Sequence, residues 1–242
     1  INYWKSIDKK IFFCFFLLFF LGLFFSFSST SSLAGERLNK DYYFFFTKHF
    51  LFTLLAVIIM FLISIIKTEL FIKFAVPLFC ISFFLLALVP IIGVEVKGAK
   101  RWIDLYLFRL QPIEILKPLF ILMTVKILTY EKLKNSQIKY ILSFILLSCV
   151  IILLIDQPDL GQSILIIGSW ISVVFVSGVS LIYLLIFLSI FLISFGSLLF
   201  FLPEKFGYII NRLITFFSPN QGDQFQTTSA LEAIKLGGLT GQ

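Results

Sequence analysis

Polar positions in this chain are confined to short intervals, and the stretches between them are apolar almost without interruption. Seven apolar runs stand out, at residues 11–27, 50–66, 74–94, 118–130, 140–155, 164–179 and 181–202. A helix needs roughly 20 residues to cross a hydrocarbon core of about 30 Å, and most of the runs approach or exceed that length. Each is predicted to be helical, because an open strand in lipid leaves its backbone hydrogen bonds unmade at several kcal/mol per group. The fourth run is the shortest and holds Lys126, placed where its ammonium can snorkel toward the interface. The expected architecture is an all-α, polytopic membrane helix bundle of seven spans over residues 1–202. It carries a polar loop at residues 94–117, expected to be extracytoplasmic, and residues 203–242 after the last span are expected to begin a large extracytoplasmic loop.

Composition supports the bilayer as solvent. Of 242 residues, 60% are hydrophobic and 14% charged, with a mean hydropathy of +1.04; soluble domains carry roughly 25% charged residues. The 33 phenylalanines are spread along most of the runs, where a lipid-facing helix accepts any bulky apolar side chain. A net charge of +7 would suggest nucleic acid in a soluble protein. Here the cations sit in short loops between apolar runs, which points to an anionic lipid surface or substrate and away from nucleic acid. Cys14, Cys80 and Cys149 lie inside apolar runs with no metal-ligand spacing. His49 is the only histidine, so this chain builds no histidine metal site or catalytic triad.

The first run follows Lys5, Lys9 and Lys10 and precedes Leu33-Ala34-Gly35, which imitates a signal peptide. Its length and the six runs behind it favour an uncleaved signal anchor. The first basic cluster suggests a cytoplasmic N-terminus. The loops then carry eight Lys and Arg inside and eleven outside, so charge bias leaves the orientation open. One loop causes the imbalance: residues 94–117 hold Lys97, Lys100, Arg101, Arg109 and Lys117. The chain begins at Ile1 without methionine and stops at Gln242 in a glycine-rich stretch, and a longer protein is expected.

Three segments carry polar chemistry. In the first, Lys97, Lys100 and Arg101 sit beside Trp102, and Gly98 frees the backbone to turn. Trp102 suits headgroup depth and Arg101 suits a phosphate; Glu114 and Lys117, three apart on a helix, can pair at the mouth of the fourth span. Taken alone, the segment reads equally as an ordinary interfacial loop with a surface ion pair. In the second, Asp156-Gln157-Pro158-Asp159-Leu160-Gly161-Gln162, Pro158 separates two helices and leaves Asp159 in the first turn of the next, where the dipole favours a carboxylate. A helix cap accounts for one acidic group, whereas this turn holds two. In the third, Asn220–Gly222 reads as a turn, and residues 230–235 form a short amphipathic helix ending at Gly237. The glycines Gly237, Gly238 and Gly241 follow no strand, so they make no dinucleotide or phosphate-loop fingerprint.

Taken together in order and spacing, these segments resemble the SEDS family of bacterial cell-wall polymerases. Gly98-Ala99-Lys100-Arg101-Trp102-Ile103, with Gln111-Pro112-Ile113-Glu114 and Lys117, is similar to the family's GARRWI and QPSE..K loop. Residues 156–161 resemble its QPDFG turn, and residues 229–241 its S..AI..GG..G segment. Residues 26–34 and 43–49 also resemble the end of its first span and the start of its second. Lys97-Gly98-Ala99, Gln162 and Gly222-Asp223-Gln224-Phe225-Gln226 look more like the division branch, FtsW, than the elongation branch, RodA. Ile113 stands where the family usually has Ser, and Lys100 and Phe225 are conservative variants.

The resemblance implies a ten-span glycosyltransferase of the bacterial cytoplasmic membrane, acting on its outer side. Its substrate would be lipid II, an undecaprenyl-pyrophosphate disaccharide-pentapeptide. Its partners would be a class B penicillin-binding protein, a transpeptidase, and other division proteins, within membrane lipid. It further implies that Arg101, Trp102, Lys117 and Asp159 bind substrate, and that Glu114, Gln111, Gln157, Lys97 and Lys100 support them. The catalytic aspartate of the family lies in an HTDF-like stretch that does not occur before Gln242, so none of these residues is expected to be that group. A divalent cation is compatible with such chemistry, and the sequence assigns it no ligands. The rival readings are an elongation polymerase, a transporter of lipid-linked precursor, and a non-enzymatic division scaffold.

Overall fold

A computed structural model describes residues 7–29, 43–96, 99–106, 108–201, 207, 210, 214 and 225–237. Lys5, the Leu33-Ala34-Gly35 segment, Lys97, Gly98, the Asn220–Gly222 turn, Gly238 and Gly241 lie outside the described residues.

Each of the seven apolar runs forms a helix: α1 Lys9–Ser29, α2 Phe44–Ile65, α3 Thr68–Ile92, α4 Pro112–Leu128, α5 Ser136–Asp156, α6 Leu160–Val176 and α7 Leu181–Phe201. An eighth, α8 Phe225–Gly237, starts earlier than expected and ends at the predicted glycine. Helices α1, α2, α3, α5 and α7 are long and apolar enough to cross a membrane, and α6 is a shorter apolar helix. Both α4 and α6 have 17 residues, a rise of roughly 25 Å, short of a hydrocarbon core of about 30 Å. The chain is a multi-pass helical membrane protein.

The helices fall into two compact units, Ile1–Ile81 and Ser82–Gln242, with the division inside α3. In the first, α1 meets α2 through aromatic edges, with Phe12 5.8 Å from Phe61 and Phe27 5.3 Å from Phe46 between ring centroids. No residue of α2 is buried, although most are apolar, a surface that only lipid can solvate.

In the second unit, Leu86 and Val89 from the end of α3 are fully buried, as are Leu116 and Phe120 of α4, Val150 and Leu154 of α5, and Val174 of α6. Small hydroxyl residues share this core. Thr124 is buried with its Oγ1 donating to the Phe120 carbonyl at 2.9 Å, and the Trp170 indole N–H donates to Ser143 Oγ at 3.3 Å. Phe187 of α7 stacks on Phe144 of α5 at 4.9 Å and meets Trp170 of α6 edge-on at 5.8 Å, joining three helices. Gly178 closes α6 in the left-handed conformation, φ +82°, and its N–H donates to the Phe175 carbonyl at 3.1 Å, a common helix stop.

The segment predicted as a loop between α3 and α4 is a small antiparallel sheet. Strands β1 Val94–Val96, β2 Ala99–Asp104 and β3 Arg109–Leu110 pair in the order β1-β2-β3. The register places Val94 opposite Trp102 and Ile103 opposite Leu110, with a bulge between Val94 and Glu95. Gly93 makes the junction with α3. Its N–H donates to the Val89 carbonyl at 2.8 Å, and a Cβ there would sit 2.3 Å from that oxygen. At the turn after β2, the Asp104 carboxylate accepts the Tyr106 N–H at 2.9 Å. Tyr106 itself takes the left-handed conformation at φ 70° and is almost wholly exposed.

Candidate functional site

Side chains alternate across a strand, and this decides which cations of the hairpin meet the bundle. Ile103 is buried and Arg101 is half-buried on one face of β2, whereas Lys100 and Asp104 on the other face are exposed. Arg101 therefore turns toward the connection between α5 and α6. Its Nε–H donates to the Gln157 carbonyl at 3.2 Å, an Nη2–H donates to the Pro158 carbonyl, and Nε lies 3.7 Å from Asp159 Oδ2. A guanidinium presents several donors in a planar fork, and here it gathers two carbonyls and a carboxylate from one turn.

Asp159 is the N-cap of α6, one residue before the position expected for it in the first turn. Its Oδ1 accepts the Gln162 backbone N–H at 3.4 Å, while Oδ2 faces Arg101 and accepts from Gln111 Nε2 at 3.4 Å. The cap and the charge partner are thus one carboxylate, with its side chain 10% exposed. Gln157 is buried, and its Nε2 donates to the Leu86 carbonyl at 2.9 Å. Four residues after Leu86 stands Pro90, which has no N–H and leaves that helix carbonyl without its usual donor. The Gln157 carboxamide supplies the missing bond.

At the start of α4, Pro112 occupies the first turn and Glu114 follows it. Lys117 Nζ lies 2.6 Å from Glu114 Oε2, the pairing expected from their spacing. The other carboxylate oxygen, Glu114 Oε1, accepts from Gln162 Nε2 at 2.8 Å. Arg101, Gln111, Glu114, Lys117, Gln157 and Asp159 therefore belong to one polar cluster. Gln162 links its two ion pairs, a role not legible in its position after the turn. Among the described residues, Lys100 reaches only the Pro90 carbonyl, at 3.5 Å, near the C-terminal end of α3. Trp102 is half-buried opposite Val94. A recess of about 380 Å³ between the far ends of α4 and α6, lined by Val125, Leu128, Thr129, Ser172, Val173, Val176 and Ser177, contains no charged group and stands apart from this cluster.

Chemically, the cluster offers cations held in place by carboxylates. Each carboxylate is shared between a cation and a neutral donor, so an incoming phosphate would compete for a cation already positioned.

A family model described as "Cell cycle protein", FtsW/RodA/SpoVE, matches residues 8–242. The chain is 31% identical to the probable peptidoglycan glycosyltransferase FtsW of Caulobacter vibrioides, over 99% of this chain and 60% of that protein. It is 32% identical to the probable peptidoglycan glycosyltransferase FtsW of Wigglesworthia glossinidia brevipalpis, over 97% and 61%. It therefore spans about 60% of the length of these curated relatives. Among solved structures, it is similar to a chain from a study of how a peptidoglycan synthase complex coordinates polymerization and crosslinking. The TM-score there is 0.72 at 26% identity, covering 97% of this chain and 67% of that one. It also matches the rod shape determining protein RodA of Thermus thermophilus, with a TM-score of 0.52 and 28% identity over 68% of this chain and 56% of that one.

Proposed function

Because this chain belongs to the FtsW/RodA/SpoVE family of cell cycle proteins, we propose that its full-length form is a peptidoglycan glycosyltransferase that polymerises lipid II during septal wall synthesis. The division branch is preferred because both curated relatives named above carry the name FtsW. The protein sits in the cytoplasmic membrane with its N-terminus inside, the hairpin of β1–β3 at the outer surface, and a class B penicillin-binding protein as partner.

The observation that carries this reading is the docking of a basic hairpin, through Arg101 and Asp159, against the α5–α6 turn, with Lys117 held in the same polar network. In the reaction, a sugar hydroxyl attacks the anomeric carbon of a lipid-linked disaccharide, loses its proton to a base, and displaces the lipid pyrophosphate. Fixed cations stabilise the charge that grows on the departing phosphate. Arg101 contributes to that field while holding the hairpin to the turn, Lys117 and Lys100 face the diphosphate, and Trp102 sits at headgroup depth. Glu114 and Asp159 are committed to cations and to a helix cap, so the proton-accepting role belongs to a group outside this cluster.

The test is reconstitution of the full-length protein with its transpeptidase partner in liposomes supplied with lipid II. Glycan chains are expected, and Lys117→Ala should lower their yield about tenfold or more, as loss of a charge-stabilising contact does. Movement of lipid II across the bilayer with no polymer would replace this reading with a transporter.

A further inference from the structure

We propose that Gln162 is a positioning residue, whose side-chain carboxamide holds Glu114 and thereby fixes where the Lys117 ammonium sits. The link to lipid II rests on the reading above; the positioning itself does not.

The geometry gives Glu114 two partners on two oxygens: Lys117 on Oε2 at 2.6 Å and Gln162 Nε2 on Oε1 at 2.8 Å. Half of the Glu114 side chain is exposed, and an exposed pair of flexible side chains holds itself weakly. Gln162 supplies the rigid support. It lies in the first turn of α6, and its backbone N–H is tied to the capping carboxylate of Asp159, which in turn faces Arg101. One residue thus connects the ion pair of the hairpin with the ion pair of α4.

The orientation of the carboxamide carries the inference further. Its oxygen, Oε1, is buried and accepts no hydrogen bond within the described residues. Turning the amide over would set that oxygen against the Glu114 carboxylate and bury the NH₂ group in its place. A buried acceptor left unmatched is unfavourable, so the contact with Glu114 decides the rotamer. Leucine at 162 would fill similar space, and a carboxylate there would repel Glu114.

The experiment uses the full-length protein in liposomes with its partner and compares wild type, Gln162→Leu, Gln162→Glu, Glu114→Gln and the double variant Gln162→Leu/Glu114→Gln. Reductive methylation of Lys117, followed by peptide mass spectrometry, needs no substrate. Its rate should rise about threefold or more in Gln162→Leu, as in Glu114→Gln, because both release the ammonium. With lipid II, each single variant should lower kcat about fivefold with KM little changed, because Lys117 is read as stabilising charge that grows on the departing phosphate. The double variant should be no worse than Glu114→Gln, since residues acting through one contact do not add. Gln162→Glu keeps the size and polarity of the side chain and should show the same fall in kcat if the leucine variant folds poorly. Wild-type methylation of Lys117 in both Gln162 variants, alongside a raised rate in Glu114→Gln, would overturn the proposal; so would multiplying effects in the double variant. Absence of polymer from wild type would instead remove the lipid II reading, and the methylation rates would still decide the role of Gln162.

Discussion

Pro90 and Gln157 show how one residue's deficiency fixes another's task. Pro90 removes the N–H that would bond the Leu86 carbonyl, and Gln157, 71 residues away, donates to that carbonyl from the α5–α6 turn. The same turn carries the two carbonyls that hold Arg101. Replacing Gln157 by leucine should therefore cost about 1–3 kcal/mol, the usual cost of an unmatched buried carbonyl. Pro90→Ala in the same chain should recover most of that loss by returning the helix N–H. Thermal denaturation of the single and double variants in detergent would check this, and equal midpoints for Gln157→Leu with and without Pro90→Ala would refute it. Neither residue announces the partnership in sequence, because the two are far apart along the chain and the proline is unremarkable in an apolar run.

At the scale of elements, the junction between α3 and β1 depends on a missing side chain. A Cβ at Gly93 would lie 2.3 Å from the Val89 carbonyl oxygen, which is backbone and cannot swing aside. Gly93→Val is expected to displace the hairpin and expose it, seen as faster proteolysis near Tyr106 in liposomes while α5–α7 stay protected. Unchanged cleavage would show that the junction tolerates a side chain. The alternation of β2 matters as much. Reading residues 94–117 as a loop leaves Lys100 and Arg101 interchangeable. As a strand, neighbouring residues face opposite ways, which sends Arg101 to the bundle and Lys100 outward. The short strand lengths of three, six and two residues hide this pattern, since alternation over so few positions is weak beside long apolar runs.

For the molecule as a whole, five helices long and apolar enough to cross a membrane and an α2 with no buried residue make lipid part of the folded state. The proposed orientation puts the hairpin tip outside. Tyr106 is 99% exposed, so Tyr106→Cys should react with a membrane-impermeant maleimide in intact cells with the outer envelope opened. Cys14, Cys80 and Cys149, all within apolar helices, should stay unlabelled by so polar a reagent. Labelling of residue 106 only after the inner membrane is broken would reverse the topology and remove the proposed encounter with an outward-facing diphosphate.

The apolar pattern by itself determined that this protein is a helical membrane bundle, and where its helices run. The reason is local: in hydrocarbon a backbone must satisfy its own hydrogen bonds, and a continuous apolar run leaves the helix as the simplest way to do so. The motifs likewise singled out Arg101, Glu114, Lys117 and Asp159 from residue type and order. Tertiary structure alone decided which of these meet: that Asp159 caps α6 while facing Arg101, that Gln157 answers Pro90, and that Gln162 reaches Glu114 across 48 residues. Those contacts depend on how α3, α4, α5, α6 and the hairpin come together, and no short-range pattern along the chain encodes a distance between separate elements.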